Sequence, residues 1–304
     1  MILPRHGYNH VMINQHRLRR DLAWCLQSPA LLANERWCEQ LPLDVTPISL
    51  PAPAHPHRFR LGQQFERLLL AWLEASDRYQ CLYHNLQVQD GKRTLGEFDF
   101  LVRSLVETSH PVEHWEAAVK FYLGTGDLNC TNRWFGPNTA DRLDLKLDRL
   151  AAHQLRLGQD PVARALLADL DINISRVRCL MKGRLFHPWR DFIGGRFIVP
   201  DVISPDHGRG WWISYADFLR DFEPFDWRYA YLPKSCWLAQ LVPEDINNAL
   251  SFMEVVEMLG TPGTEQAVHL AVTNEAGEIH RGFVVNDHWL MRVNDFPGED
   301  GSLS

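Results

Sequence analysis

The chain has 304 residues, 45% hydrophobic and 23% charged, which is ample apolar material for a core and not the composition of a disordered protein. The longest apolar run, around Leu68 to Leu73, falls far short of the roughly 20 residues of a bilayer span. Met1 to His10 lacks the hydrophobic stretch of a signal peptide, so the expectation is a cytoplasmic protein with no membrane segment. The net charge of −7 argues against a general nucleic-acid coat, yet Lys120 to Arg190 holds 12 Lys or Arg against 7 Asp, a local +5. A polyanion is therefore expected at that stretch. Cysteines 25, 38, 81, 130, 179 and 236 show no CxxC pair and no zinc-ligand spacing, which reads as reduced thiols.

In chain order, Met12 to Gln27 reads as an amphipathic helix on Leu18, Leu22 and Leu26, ended by Ser28-Pro29. A helical piece over Ala30 to Gln40 leads into a proline-rich linker at about 42–58. Gly62 to Ser76 carries Phe65, Leu68, Leu69, Trp72 and Leu73 on one helical face. Gln80 to Val88, Leu95 to Val106 and His114 to Leu123 read as three strands of an antiparallel meander, the first turn being Asp90-Gly91. Asn138, with Asp141 as capping partner, is expected to open a helix lined by Leu143, Leu147 and Leu150. A smaller helix near Pro161 to Leu170 precedes a strand over Val177 to Phe186. Beyond about 195 the pattern is a separate α+β lobe, with helices at Tyr215 to Asp221 and Pro243 to Leu259 and a hairpin of Val268 to Asn274 with Glu278 to Val285. Trp211, Trp212 and Trp237 read as packing residues, with base stacking the alternative.

Strand alternation puts Glu97 and Asp99 on one face of the second strand, and Glu116, Ala118 and Lys120 on one face of the third. If the strands pair, two or three carboxylates and an ammonium converge. Such oxygens suit Mg²⁺ or Mn²⁺, and a lysine beside them orients a water or offsets charge on a phosphorane-like transition state. Arg133 and Trp134 in the following loop offer a cation and a stacking surface. Arg178, Lys182 and Arg184 on one face of the last strand, and Lys146 with its neighbouring arginines on the second helix, are positioned to track phosphates. His55, His57 and the Cys81/His84 pair are weak metal candidates.

The order αβββαβ, with an acidic strand, an adjacent Glu/Lys strand and a Glu on the preceding helix, resembles the PD-(D/E)XK nuclease-like superfamily over about 61–187. Arg20 to Trp24 with Ser28-Pro29, Leu95 to Phe100, His114 to Leu123 and Gly183 to Phe186 resemble a bacterial family of unknown function assigned to that superfamily. The resemblance implies an α+β, restriction-endonuclease-like core at 59–190, an N-terminal helical extension and linker at 1–58, and a C-terminal α+β lobe at 191–304. It also implies Asp99 as central metal ligand, Lys120 as motif lysine and Glu66 as supplementary ligand. The acid normally found two residues before the lysine is replaced by Ala118, leaving Glu116 or Glu97 to supply it, with Glu116 favoured. The expected function is metal-dependent hydrolysis of phosphodiesters in DNA or RNA. The alternatives are a binding or scaffold protein on a degraded nuclease fold, and a phosphohydrolase of small esters.

Overall fold

Three long antiparallel strands form one edge of a large mixed sheet in the computed structural model, which describes residues 15–33, 60–246, 249–261 and 267–296. They are β1 (Tyr79–Asp90), β2 (Arg93–Ser104) and β3 (Val112–Gly124). Gly91, at φ +58°, supplies the left-handed turn between the first two. The short β4 (Trp134–Phe135) folds back on β3. The chain then crosses through helix α3 (Leu143–Ala152), a 3₁₀ turn (Gln154–Gln159) and helix α4 (Pro161–Asp169), whose first N–H groups are capped by Asp160. It returns as β5 (Ile174–Pro188), parallel to β3.

From β5 the sheet continues without a break. After α5 (Trp189–Ile193), β6 (Gly208–Ser214) pairs parallel to β5. Helix α6 (Tyr215–Phe222), β7 (Arg228–Tyr231) and α7 (Phe252–Gly260) lead to the hairpin β8 (Ala267–Asn274) and β9 (Gly277–Val285), and α8 (Asp287–Asn294) follows. Strand β9 lies parallel to β6, so the order is β1-β2-β3-β5-β6-β9-β8-β7. A Cβ on Gly282 of β9 would lie 2.0 Å from the Trp211 ring of β6, so only glycine admits this join. The expected boundary at 190/191 thus falls within one continuous sheet.

Each face is closed by helices, as a sheet with two apolar faces requires. On one face α1 (Gln15–Gln27) and α2 (Leu61–Ala75) bring Leu18, Leu22, Phe65 and Trp72 onto Phe100, Trp115 and Phe121. On the other, Leu143 and Leu150 of α3 cover Ala118, Tyr122 and Met181. Burying each such leucine contributes about 1.5–3 kcal/mol. Trp189, Trp211, Phe218, Phe222 and Tyr229 form a third cluster around α6 and α7. Among the described residues no helix is long and apolar enough to cross a membrane.

Several expectations are corrected in detail. The helix expected over Pro243 to Leu259 is a 3₁₀ turn (Pro243–Asp245) followed by α7, because Ser251 and Glu254 form a capping box that starts a new helix. Asn138 closes a turn onto Ala140 N and does not cap α3, whose N-cap is Arg142; Asp141 bonds Lys120 instead. Trp211 and Trp237 are buried and therefore closed to bases. Among the described residues Cys25, Cys81, Cys130, Cys179 and Cys236 form no disulfide. The 42–58 linker, His55, His57, Cys38 and most of the 30–40 piece lie outside the described residues.

Candidate active site

The β2–β3 ladder runs from Arg103↔Val112 to Phe100↔Trp115 and stops there. The next opposed positions are Asp99 and Glu116, on the face opposite Phe100 and Trp115. The strands part at this point, and the Asp99 carboxylate takes over the missing bond: Ala117 N donates to Asp99 Oδ2 at 2.8 Å. Glu116 is 1% exposed. Its Oε1 accepts from the Gln154 amide and, at 3.5 Å, from Lys146 Nζ, which also donates to Gln154 Oε1 at 2.8 Å. Among the described residues Glu116 Oε2 receives no donor, and the Asp99 and Glu116 carboxyls lie within hydrogen-bonding reach of each other.

The electrostatics follow from this crowding. Burial first, and then the Asp99 charge, push the Glu116 carboxyl up to about 8 against the pull of Lys146. Asp99 is also raised, again mainly by burial, with Ala117 N–H and Lys146 opposing. On α2, Glu66 is pushed up to about 7 by burial and by Asp99 and Glu97, while a bond from Asn85 opposes the shift. Asn85 itself sits at φ +56° in β1, between the pairs His84↔Phe100 and Leu86↔Phe98, where a non-glycine residue in the left-handed region is strained. Four acidic groups from two strands and a helix thus crowd together, with the Lys146 ammonium opposing the charge of Asp99 and Glu116.

Of the residues expected at a site, Glu66, Glu97, Asp99 and Glu116 are brought together by these mutual interactions. Lys120 is not among them. It shares strand parity with Glu116 but lies four residues on, roughly 13 Å along the strand, and its Nζ pairs with Asp141 Oδ2 at 2.5 Å. Lys146, expected to touch phosphates from an exposed helix face, is turned inward instead and buried. The proposed phosphate stripe is also a correction, because β5 is a central strand covered on both faces. Arg178 is held by both oxygens of Glu113, Lys182 by Ser28 O, and Arg184 by Leu238 O at 3.4 Å. All three are buried. Trp134 is fully buried with its indole N–H on Leu128 O, so it offers no stacking face, and Arg133 reaches Phe296 O at 3.5 Å.

Beside the acidic cluster lies a cleft of about 740 Å³, with Glu97, Asp99 and Gln154 on its wall and Arg93, Arg149 and Arg156 around it. Among the described residues those three arginines form no ion pair, whereas Arg17, Arg142, Arg176, Arg178, Arg220 and Arg281 all do. Among the described residues no group of three or more His, Cys, Asp or Glu side chains is arranged to enclose a metal ion. The oxygens that could take a cation at the ladder's opening are those of Asp99 and Glu116, one of which is buried and unpartnered among the described residues. Two carboxylates completed by water and substrate oxygens is a common arrangement for Mg²⁺.

The profile of a family described as a domain of unknown function, DUF1853, matches residues 20–285. The chain belongs to this family. The match covers α1 from Arg20 onward, the carboxylate cluster, the cleft and the sheet through β9, so the site lies wholly inside the family's domain. No curated protein and no solved structure matches the chain.

Strand parity found Glu97, Asp99 and Glu116, the resemblance supplied Glu66, Lys146 was expected only as a phosphate contact, and Gln154 and Asn85 were missed. A signal for Lys146 was present: at three residues after Leu143 and four before Leu150 it stands inside the apolar stripe of α3. A lysine there must be buried and partnered.

Proposed function

We propose that the chain is a divalent-metal-dependent phosphodiester hydrolase acting on nucleic acid, on a restriction-endonuclease-like core formed by α2, β1, β2, β3, α3 and β5. The observation that carries the reading is the opposed Asp99 and Glu116 pair at the opening of the β2–β3 ladder, with the buried Lys146 ammonium beside it. In Glu116-Ala117-Ala118, Glu116 takes the place of the motif acid and Ala118 that of the motif lysine. Lys146, reaching in from α3, supplies the ammonium that was first expected from Lys120.

Asp99 and Glu116 would hold Mg²⁺ or Mn²⁺. When bound, such an ion polarises a phosphoryl oxygen and acidifies a bound water. Lys146 is fixed by Gln154, so its charge is aimed before substrate arrives and can offset the charge that develops on the phosphate. The Ala117 N–H fixes the rotamer of Asp99.

Cleavage of a panel of single-stranded and duplex DNA and RNA, with Mg²⁺ and Mn²⁺, tests the reading. Wild type should cut at least one substrate. Asp99→Asn and Lys146→Met should each lose at least 100-fold, while Lys120→Met retains activity within about threefold. Wild type inert on every substrate would sink the hydrolase and leave a binding or scaffold protein. Full activity of Asp99→Asn would sink the site assignment.

A further inference from the structure

We infer that the cleft admits a single nucleic-acid strand by its phosphates, without reading or stacking its bases, and excludes the intact duplex. The inference rests on the proposed hydrolase site and names the substrate form that this site takes. Three observations carry it.

The acidic groups are deep. Glu116 is 1% exposed and Asp99 is half-buried with one oxygen committed to Ala117 N. A phosphate reaching this pair has to descend into the cleft, because the pair does not stand on an open surface. The available volume, about 740 Å³, equals that of a cube about 9 Å on edge and lies in the range of small-ligand pockets, about 300–1,000 Å³. A B-form duplex has grooves about 12 and 6 Å wide separating its backbones. A duplex that spans both grooves is wider than such a space and cannot enter it whole.

The cations are placed for a backbone. Arg93 at the start of β2, Arg149 at the end of α3 and Arg156 in the 3₁₀ turn are exposed, and they line the same cleft from two sides. Among the described residues they form no ion pair, unlike Arg17, Arg142, Arg176, Arg178, Arg220 and Arg281. Three free guanidiniums around four acids supply the attraction that a polyanion needs to approach an acidic site in a protein of net charge −7.

Among the described residues the cleft has no broad stacking platform: of those that line it only His153 is aromatic, and the tryptophans nearest in sequence are buried elsewhere. Strand binding that relies on stacking uses aromatic faces. Here the contacts left are ionic, which makes recognition indifferent to base identity.

The test is fluorescence anisotropy in Ca²⁺ with a labelled single-stranded oligonucleotide, the same sequence as a duplex, and an abasic strand of equal length. Wild type should bind the single strand at least tenfold more tightly than the duplex, and the abasic strand within about threefold of the intact one. With three phosphate contacts the slope of log K against log salt should be about −2, falling to about −0.7 in Arg149→Gln/Arg156→Gln. Arg93→Gln alone should bring it to about −1.4. Equal or tighter duplex binding, a tenfold loss on the abasic strand, or an unchanged slope in the double variant overturns the inference. Strand binding as expected with no hydrolysis in Mg²⁺ or Mn²⁺ leaves the inference standing and removes the hydrolase reading. Hydrolysis of blunt duplex at the single-strand rate does the reverse.

Discussion

Arg281 at the β6–β9 end and Glu116 at the β2–β3 opening are equally buried, but their surroundings differ. The Arg281 guanidinium donates to both carboxylate oxygens of Glu278, at 2.6 and 2.5 Å, and to Trp237 O and Ala239 O. All three nitrogens of the Arg281 guanidinium thus have an acceptor. Glu116 keeps one oxygen without a donor and has Asp99 and Glu66 as like-charged neighbours. In the first region buried charge staples the 237–241 segment to β9. In the second, charge is held in an environment that opposes it, the arrangement expected where a cation or substrate completes the site.

The largest effect that would sharpen this contrast is Arg281→Met. Removing one member of a satisfied buried pair strands Glu278 and should cost about 3–5 kcal/mol, read as an earlier urea midpoint with unchanged slope. A loss below 1 kcal/mol would mean that the staple is not one.

Next in size is the pH dependence of stability. His187 is pushed down to about 3 and His280 to about 4, chiefly by burial, and Trp211 N–H donates to His280 Nδ1 at 2.8 Å. Both are neutral in the fold, while an unfolded histidine takes up its proton near pH 6.5. Stability therefore falls as pH drops from 6.5 to about 4, by up to roughly 3 kcal/mol per histidine. Glu116 acts in the opposite direction. Raised to about 8, it gains its proton earlier in the fold than in the unfolded chain, so stability rises as pH drops from 8. Thermal melts across pH 4–9 should peak near pH 6.5. His187→Phe should flatten the acid limb and Glu116→Gln the alkaline one; a monotonic profile would contradict both assignments.

At pH 8, Glu116→Gln should also raise stability, by about 1–2 kcal/mol, while abolishing hydrolysis, since it removes like-charge repulsion and retains an acceptor for Gln154. A destabilised Gln variant would make Glu116 an ordinary structural ion-pair partner of Lys146. Smallest of all, Arg149→Gln should leave stability within about 0.5 kcal/mol, because its guanidinium is exposed and has no ion-pair partner among the described residues.

Much of the fold was legible from periodicity. The leucines of α1, the apolar face of α2, the three-strand meander and the β8–β9 hairpin lie within a few residues of their expected bounds. What local pattern does not encode is which strands become neighbours. Arg178, Lys182 and Arg184 alternate as an exposed basic strand would, yet β5 sits between β3 and β6, and its charges find internal partners. Parity likewise put Lys120 on the face of Glu116 without fixing how far apart they act. The observed register opposes Asp99 to Glu116 and sends Lys120 toward Asp141. The substitute lysine comes from a helix 30 residues beyond Glu116, a separation that no strand motif spans.

Helix α1 bears on the order in which the chain is made. Arg17 bonds Asp245 and Ala239 O, and Asp21 accepts from Ala239 N. The 228 residues separating Arg17 from Asp245 take about 11–46 s to synthesise at 5–20 residues per second. Throughout that interval the first helix has only part of its final surroundings, and a buried-to-be arginine and aspartate remain without the backbone that satisfies them. Helix α1 is thus made long before it can settle fully, and a growing chain needs its leucine stripe sheltered until the 239–245 segment arrives.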